Sequence, residues 1–268
     1  MILEHFQLRR PPFEAVADSR FYFPAAGHQQ ALALLHYAAR NAGEAALVCG
    51  PAGCGKTLVL RTVRRQLPRE QFTVVFAPHF GPADPLEELA RFLPPGSAPA
   101  EAPPHARLMA LARTCAESGR TLVLMLDDLD PATPRTLDTL GLLTQLDVDD
   151  LRVSLLLAAR DDPPRPSDRL LGVARVGPLP EADVPAYLAH RLRVAGHPTG
   201  EPFDPDAARL IARRSAGVPR TIHRIANLAM HLAALASRRR VRAADVEHAA
   251  DRLVRLAAAP PATTEAHA

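Results

Sequence analysis

Residues Gly50 to Thr57 read GPAGCGKT, the spacing G-x-x-x-x-G-K-[ST] of a phosphate-binding loop. Glycines let the backbone wrap an anion with its N–H groups turned inward, and a following helix adds the positive end of its dipole. Gly50, Pro51, Ala52, Gly53, Cys54, Gly55, Lys56, Thr57 and Leu58 are therefore the expected nucleotide contacts. Lys56 reaches the β- and γ-phosphates, and the Thr57 hydroxyl holds Mg2+. Lys56 is also the only lysine in the chain; every other position of the lysine-or-arginine kind is arginine. A compact ammonium fits inside such a loop where a planar guanidinium is too wide.

A second constellation lies in TLVLMLDDLD, residues 121–130, an apolar run that ends in acids. Asp127 fits the role of a carboxylate holding Mg2+ beside Thr57, directly or through water. Asp128 follows as the candidate that orients the attacking water. A helix cap or a turn is the alternative use of Asp128 and Asp130.

These groups need strands that end at one edge. AALVC (45–49), FTVVFA (72–77), TLVLMLDDLD and VSLLLAA (153–159) read as buried strands, with a short fifth around Ala174–Val176. Helical patterns fall between them, at 28–40, 57–67, 84–93, 105–118 and 134–146. This alternation predicts a three-layer α/β domain with a parallel sheet. Strand patterns stop after Leu179. Helices are predicted at 181–195, 205–215, 219–236 and 243–256, with Asp204 and Pro205 suited to an N-cap and first position. The expected division is an α/β domain over 1–179, a small all-helical domain over 180–257 and a disordered tail over 258–268.

The chain has 268 residues, 47% hydrophobic, with a net charge of +3. The mild basicity leaves two readings open, a solvated surface or an acidic partner such as DNA. The dense basic run is Arg238, Arg239, Arg240 and Arg242, which can equally cap a helix C-terminus. Three cysteines, Cys49, Cys54 and Cys115, have neither disulfide-framework nor metal spacing. The N-terminus lacks an apolar signal core, and no run approaches about 18 apolar residues. A cytoplasmic, reduced protein without membrane insertion is expected.

Together these features resemble AAA+ ATPases of the ExeA/GspA type, related to the ATPase regulators of transposition. The resemblance spans about residues 4–256. It rests on HFQLRRPPFEAVADSRFYFPAAGHQQALALLHYA near the start, on GPAGCGKT and LVLMLDDLD, and on LPEADVPAYLAHRLRVAG with FDPDAARLIARRSAGVPRTIHRIANLA near the end. It implies an additional-strand P-loop NTPase with a helical lid. Arg220, in GVPR, then looks like the arginine that reaches the γ-phosphate from the lid. Arg169 is the candidate arginine finger for a neighbouring subunit, with Arg165 and Arg175 as rivals. Phe6, Pro12, Phe13 and His28 either line the adenine end or pack as core. The sequence departs from the family at Asp128, where a glutamate is usual, and at AARDD (158–162). A polar side chain is missing at Ala158 or Ala159, or is replaced by Arg160 or Asp161.

The resemblance implies ATP and Mg2+ as ligands and a homo-oligomer as the working form. Two functions follow: an ATPase that remodels or loads a protein or DNA partner, or an ATP-gated oligomeric switch acting on DNA with slow or no hydrolysis.

Overall fold

The computed structural model describes residues 2–41, 43–79, 84–96, 99, 101–129, 140–143, 153–160 and 170–258. The chain divides into two units, Ala17–Gly177 and a second formed by Met1–Val16 together with Pro178–Ala268. The first sixteen residues thus group with the C-terminal helices, whereas the sequence predicts them in the α/β domain.

The Ala17–Gly177 unit is built on a parallel five-stranded sheet in the order β2-β3-β4-β1-β5. The strands are β1 (Ala45–Cys49), β2 (Phe72–Ala77), β3 (Thr121–Leu129), β4 (Val153–Ala159) and β5 (Gly172–Arg175). Every residue of β1 and β4 is buried, as expected for central parallel strands covered on both faces. Alternate residues divide between two cores. Leu47, Leu124, Leu126, Leu155 and Leu157 join one cluster, with Leu89, Leu108 and Leu111 of α4 (Pro85–Ala90) and α5 (Pro104–Glu117). Val48, Val123, Met125, Leu156 and Ala158 join the other, with Leu35, Leu60 and Val63 of α2 (Ala26–Arg40) and α3 (Lys56–Gln66). The period-two split is the physical basis of the three layers.

In this strand order β4 lies between β1, which feeds the glycine loop, and β3, which carries the acids. The additional-strand arrangement is therefore present. The fifth strand is two residues earlier at its start than expected. The helix expected over 134–146 falls mainly outside the described residues, as do Arg165, Arg169 and the tail from 259 onward.

The second unit contains α1 (Ile2–His5), α6 (Val184–Val194), α7 (Pro205–Ser215), α8 (Pro219–Leu235) and α9 (Ala243–Ala258). The first residues are tied to these helices by specific contacts. Arg9 N–H donates to the Ala195 carbonyl (2.8 Å), and His5 Nε2 donates to that of Arg238 (2.7 Å). Arg191, only 3% exposed, donates from Nε to the Pro12 carbonyl (2.6 Å). Phe6 and Phe13 are buried, and the Phe13 ring lies edge-on to Phe203 with centroids 6.2 Å apart. These aromatics pack as core of the helical unit.

The helix caps agree with the sequence in position more than in use. Pro205 opens α7 and Asp204 precedes it, but the Asp204 carboxylate accepts from Arg240 instead of capping. Arg238 makes a two-bonded pair with the buried Asp245 in the first turn of α9. Two members of the basic run are thus held in ion pairs.

Candidate nucleotide-binding site

The glycine loop leaves the end of β1 and enters α3 at Lys56. Gly50 has φ +147°, and a Cβ there would stand 2.0 Å from the Val176 carbonyl oxygen. Only glycine lets the chain turn between β1 and the backbone that follows β5. On the other side, Gly50 N–H donates to the Arg160 carbonyl (3.2 Å). From α2, the buried His28 Nε2 donates to the Cys54 carbonyl (2.8 Å), and burial lowers the pKa of His28 despite that bond. The loop is pinned at its start by the Arg160 backbone and at Cys54 by the His28 side chain. The first turn of α3 carries no acid, so no carboxylate of its own competes for the free N–H groups.

Lys56 is buried, and its ammonium donates to the carbonyls of Gly50 (2.7 Å) and Pro51 (3.1 Å). Burial lowers its pKa; the charges of Cys54, Asp127 and Asp128 act to raise it and that of Arg160 to lower it further. A desolvated cation bonded to two neutral carbonyls gains strongly from a polyanion placed beside it.

Asp127 is also buried. Loss of solvent raises its pKa, opposed first by a hydrogen bond to the Thr57 side chain, then by the Asp128 backbone N–H, which donates to Oδ1 at 2.9 Å. Thr57 and Asp127 are thereby brought together although they are far apart in sequence. Two hard oxygen donors next to a polyphosphate pocket suit Mg2+, which takes one or two protein oxygens and keeps its waters.

Asp128 stands apart from this pair. Its φ is +50°, a left-handed value that is uncommon for a non-glycine residue. The cause is an irregularity in the ladder: Leu126 pairs with Leu157 and Leu129 with Ala159, so Asp127 and Asp128 together face one residue of β4. The bulge turns the Asp128 carboxylate toward the ends of neighbouring strands. Its Oδ1 lies 3.4 Å from Arg160 Nε and its Oδ2 3.4 Å from His79 Nδ1. Arg160 follows β4, and His79 lies just past β2. Ala158 and Ala159 are buried within β4, so Arg160 is the first polar side chain at that strand end.

The remaining candidates are placed as follows. Arg175 ends β5. Arg220 is exposed in the first turn of α8, in the helical unit. The turn before it is tight: Leu179 N–H donates to the Gly217 carbonyl (2.8 Å), and a Cβ on Gly217 would stand 2.0 Å from the Leu179 oxygen. His79 carried no signal in the sequence, since nothing in FTVVFAPHF marks an ionisable group aimed at the next strand.

A glycine loop entering a helix from a central parallel strand, with an acid-tipped strand on the far side of one intervening strand, is the arrangement of an AAA-type domain. Residues 40–162 match the family model for an AAA domain, and the chain is similar to general secretion pathway protein A. The Aeromonas hydrophila protein of that name is 28% identical in a 249-residue alignment that covers 86% of this chain and 44% of that one. The chain therefore spans less than half the length of this curated relative. Among solved structures, the Aeropyrum pernix ORC2 protein superposes with a TM-score of 0.69 at 16% identity, covering 94% of this chain and 75% of that one. The Aeropyrum pernix ORC1 protein in complex with DNA gives 0.67 at 21%, covering 92% and 70%. Among the described residues no helix is long and apolar enough to cross a membrane.

Proposed function

We propose that the chain binds and hydrolyses ATP with Mg2+, assembles with copies of itself, and acts on a protein or DNA partner. The observation that carries this reading is the meeting of Lys56, Thr57 and Asp127 around the glycine loop, with both charged groups buried. Loop N–H groups and Lys56 hold the phosphates. Thr57 and Asp127 hold Mg2+, which when bound neutralises phosphate charge. Asp128 orients water. Arg220, and Arg169 from a neighbouring copy, add positive charge where it develops on the transferring phosphoryl group. A requirement for Arg169 in a neighbour is what calls for an oligomer. A reducing, cytoplasmic setting would suit the buried thiols of Cys49, Cys54 and Cys115.

A second reading, an ATP-gated binding switch with slow turnover, is favoured by one observation. Asp128 has one methylene less than a glutamate and already has Arg160 and His79 beside its oxygens. A misplacement of about 1 Å can cost about a hundredfold in rate. Phosphate release by the wild type, Lys56→Ala and Asp128→Glu separates the two. Turnover no higher than that of Lys56→Ala rules out the enzyme, and a large gain in Asp128→Glu favours the switch.

The relatives support this range of partners. One is named for protein secretion, and one of similar fold is a complex with DNA. The ion pairs of Arg238 and Arg240 weigh against the 238–242 run as a DNA contact. A DNA mobility shift with ATP at low and high salt tests it.

A further inference from the structure

We propose that the outer edge of β2, beside Arg61, Arg64 and Arg65, takes up an extended acidic segment of a partner protein as an added strand. This docking edge is independent of the nucleotide-site reading above.

β2 ends the sheet, with β3 on one side only. An edge strand presents a row of main-chain N–H and C=O groups, and among the described residues no second strand takes them. Val74 and Phe76 of β2 turn to the α3 face, where they are half-buried. α3 itself packs over β3 and β4, so the long side chains of Arg61 and Arg64 reach outward to Phe76. Their guanidiniums lie over that ring, 5.9 Å and 5.5 Å from its centre. The aromatic face thus holds two cations beside the edge.

The other contacts of these arginines leave their charge uncompensated. Arg61 donates from Nη1 to the Ala17 carbonyl (3.1 Å), and Arg65 from Nη1 to the Ser19 hydroxyl (3.4 Å). Both acceptors are neutral. Asp18, between them in the chain, accepts instead from Arg20 Nε (2.8 Å) and Nη2 (2.6 Å). Among the described residues none of Arg61, Arg64 and Arg65 has a carboxylate partner.

Edge and charge together select the occupant. A strand laid about 4.8 Å from β2 turns every second side chain, about 7 Å apart, to the α3 face. Those side chains come beside Val74 and Phe76 and face Arg61 and Arg64, which as i and i+3 neighbours on a helix stand roughly 5–6 Å apart. Carboxylates at those positions meet guanidiniums. Arginines at an edge repel a basic strand and leave an acidic one as the match. A nucleic acid meets the same charge but has no peptide N–H and C=O groups to continue the ladder, whereas an extended peptide uses both features.

Fluorescence anisotropy tests this with a short labelled peptide of alternating glutamate and valine, its lysine–valine counterpart and a single-stranded DNA oligonucleotide. The glutamate peptide is expected to bind and the lysine peptide not. Methylating the alternate peptide nitrogens that face β2 should weaken binding at least about tenfold, and methylating the other set should leave it within about twofold. Arg64→Gln should weaken the glutamate peptide about fivefold, and Arg64→Lys, which keeps the charge, should retain most of the affinity. Arg64 is exposed, and an unchanged melting temperature shows that each variant is folded. A glutamate peptide that does not bind, or that binds Arg64→Gln as tightly as wild type, overturns the proposal. Equal effects of the two methylated sets overturn strand addition. An oligonucleotide that outcompetes the glutamate peptide and depends on Arg64 assigns the patch to nucleic acid and overturns the proposal likewise. ATP titration of the same variants reads the nucleotide site separately, so failure of one reading leaves the other standing.

Discussion

Gly50 lies against Val176 so closely that its missing side chain is the condition for the contact. A Cβ would meet the Val176 carbonyl oxygen at 2.0 Å, while Val176 N–H donates to Cys49 O at 2.9 Å. Gly50→Ala is expected to cost more than about 2 kcal/mol, from the clash and from a φ that alanine resists. Gly177→Ala is the control. It has open space and no left-handed φ, so its effect should stay within about 0.5 kcal/mol. Thermal denaturation of both variants checks the contrast; equal losses would mean the contact is not what requires the glycine.

Lys56→Arg should fold normally and bind nucleotide at least about a hundredfold more weakly. The ammonium sits between two loop carbonyls in a buried space, and a wider guanidinium must push the loop open to fit. Calorimetric titration with ATP and Mg2+ reads the effect. Affinity within about threefold of wild type would show that charge alone suffices there.

Asp127→Asn should separate stability from function. Burial raises the folded-state pKa of Asp127 above its unfolded value. Its contribution to stability is therefore fully present below the unfolded pKa and lost as pH rises through the folded one. At neutral pH the ionised carboxylate works against folding. The amide removes that penalty and should raise the melting temperature at pH 7. The difference between the variants should shrink as the pH falls below the unfolded value. Mg2+-dependent phosphate release should fall at least about a hundredfold. A lower melting temperature at pH 7 would contradict the assignment of burial as the dominant influence.

His223 gives the helical unit an acid sensitivity. Burial, then the charge of Arg191, lower its pKa from 6.5 to about 3. The Tyr187 hydroxyl and Nε2 are hydrogen-bonded at 2.6 Å, and Phe13 lies beside the ring. Between those two pKa values the unfolded chain binds a proton that the native one refuses. Stability should fall as pH drops from 6.5 toward 3, by up to about 1.4 kcal/mol per pH unit. Protection of α8 amides against hydrogen exchange, compared in wild type and His223→Asn from pH 7 to 4, should show the slope reduced in the variant. His28 and His197, also lowered by burial, leave a residual slope in both.

Much of the architecture was legible because its causes are local. Buried strands announce themselves as apolar runs, and β1, β2 and β4 lie where those runs lie. Lys56, Thr57 and Asp127 were legible because a phosphate loop and an acid-tipped strand have fixed grammar. Asp128 was legible as a departure but not as a partner of Arg160 and His79. That contact needs three strand ends side by side and a bulge whose register no single strand encodes. Asp204 shows the same limit: its position before Pro205 predicts a cap, yet Arg240, 36 positions later, takes the carboxylate. Phe6 and Phe13 could not be assigned from spacing, because their core is supplied by helices that begin at Val184.

The placement of residues 1–16 with the C-terminal helices makes the α/β unit an insertion within the helical one. The earliest segment of the chain has its partners in the latest: His5 bonds to Arg238, 233 positions away. On the ribosome, the α/β unit has all of its described strands once Arg175 has emerged. The opening aromatics must then wait, unburied, until α6 to α9 follow. The helical unit is thus a late-closing structure whose assembly depends on very long-range contacts. It closes after the sheet, because α6 to α9 follow β5 in the chain.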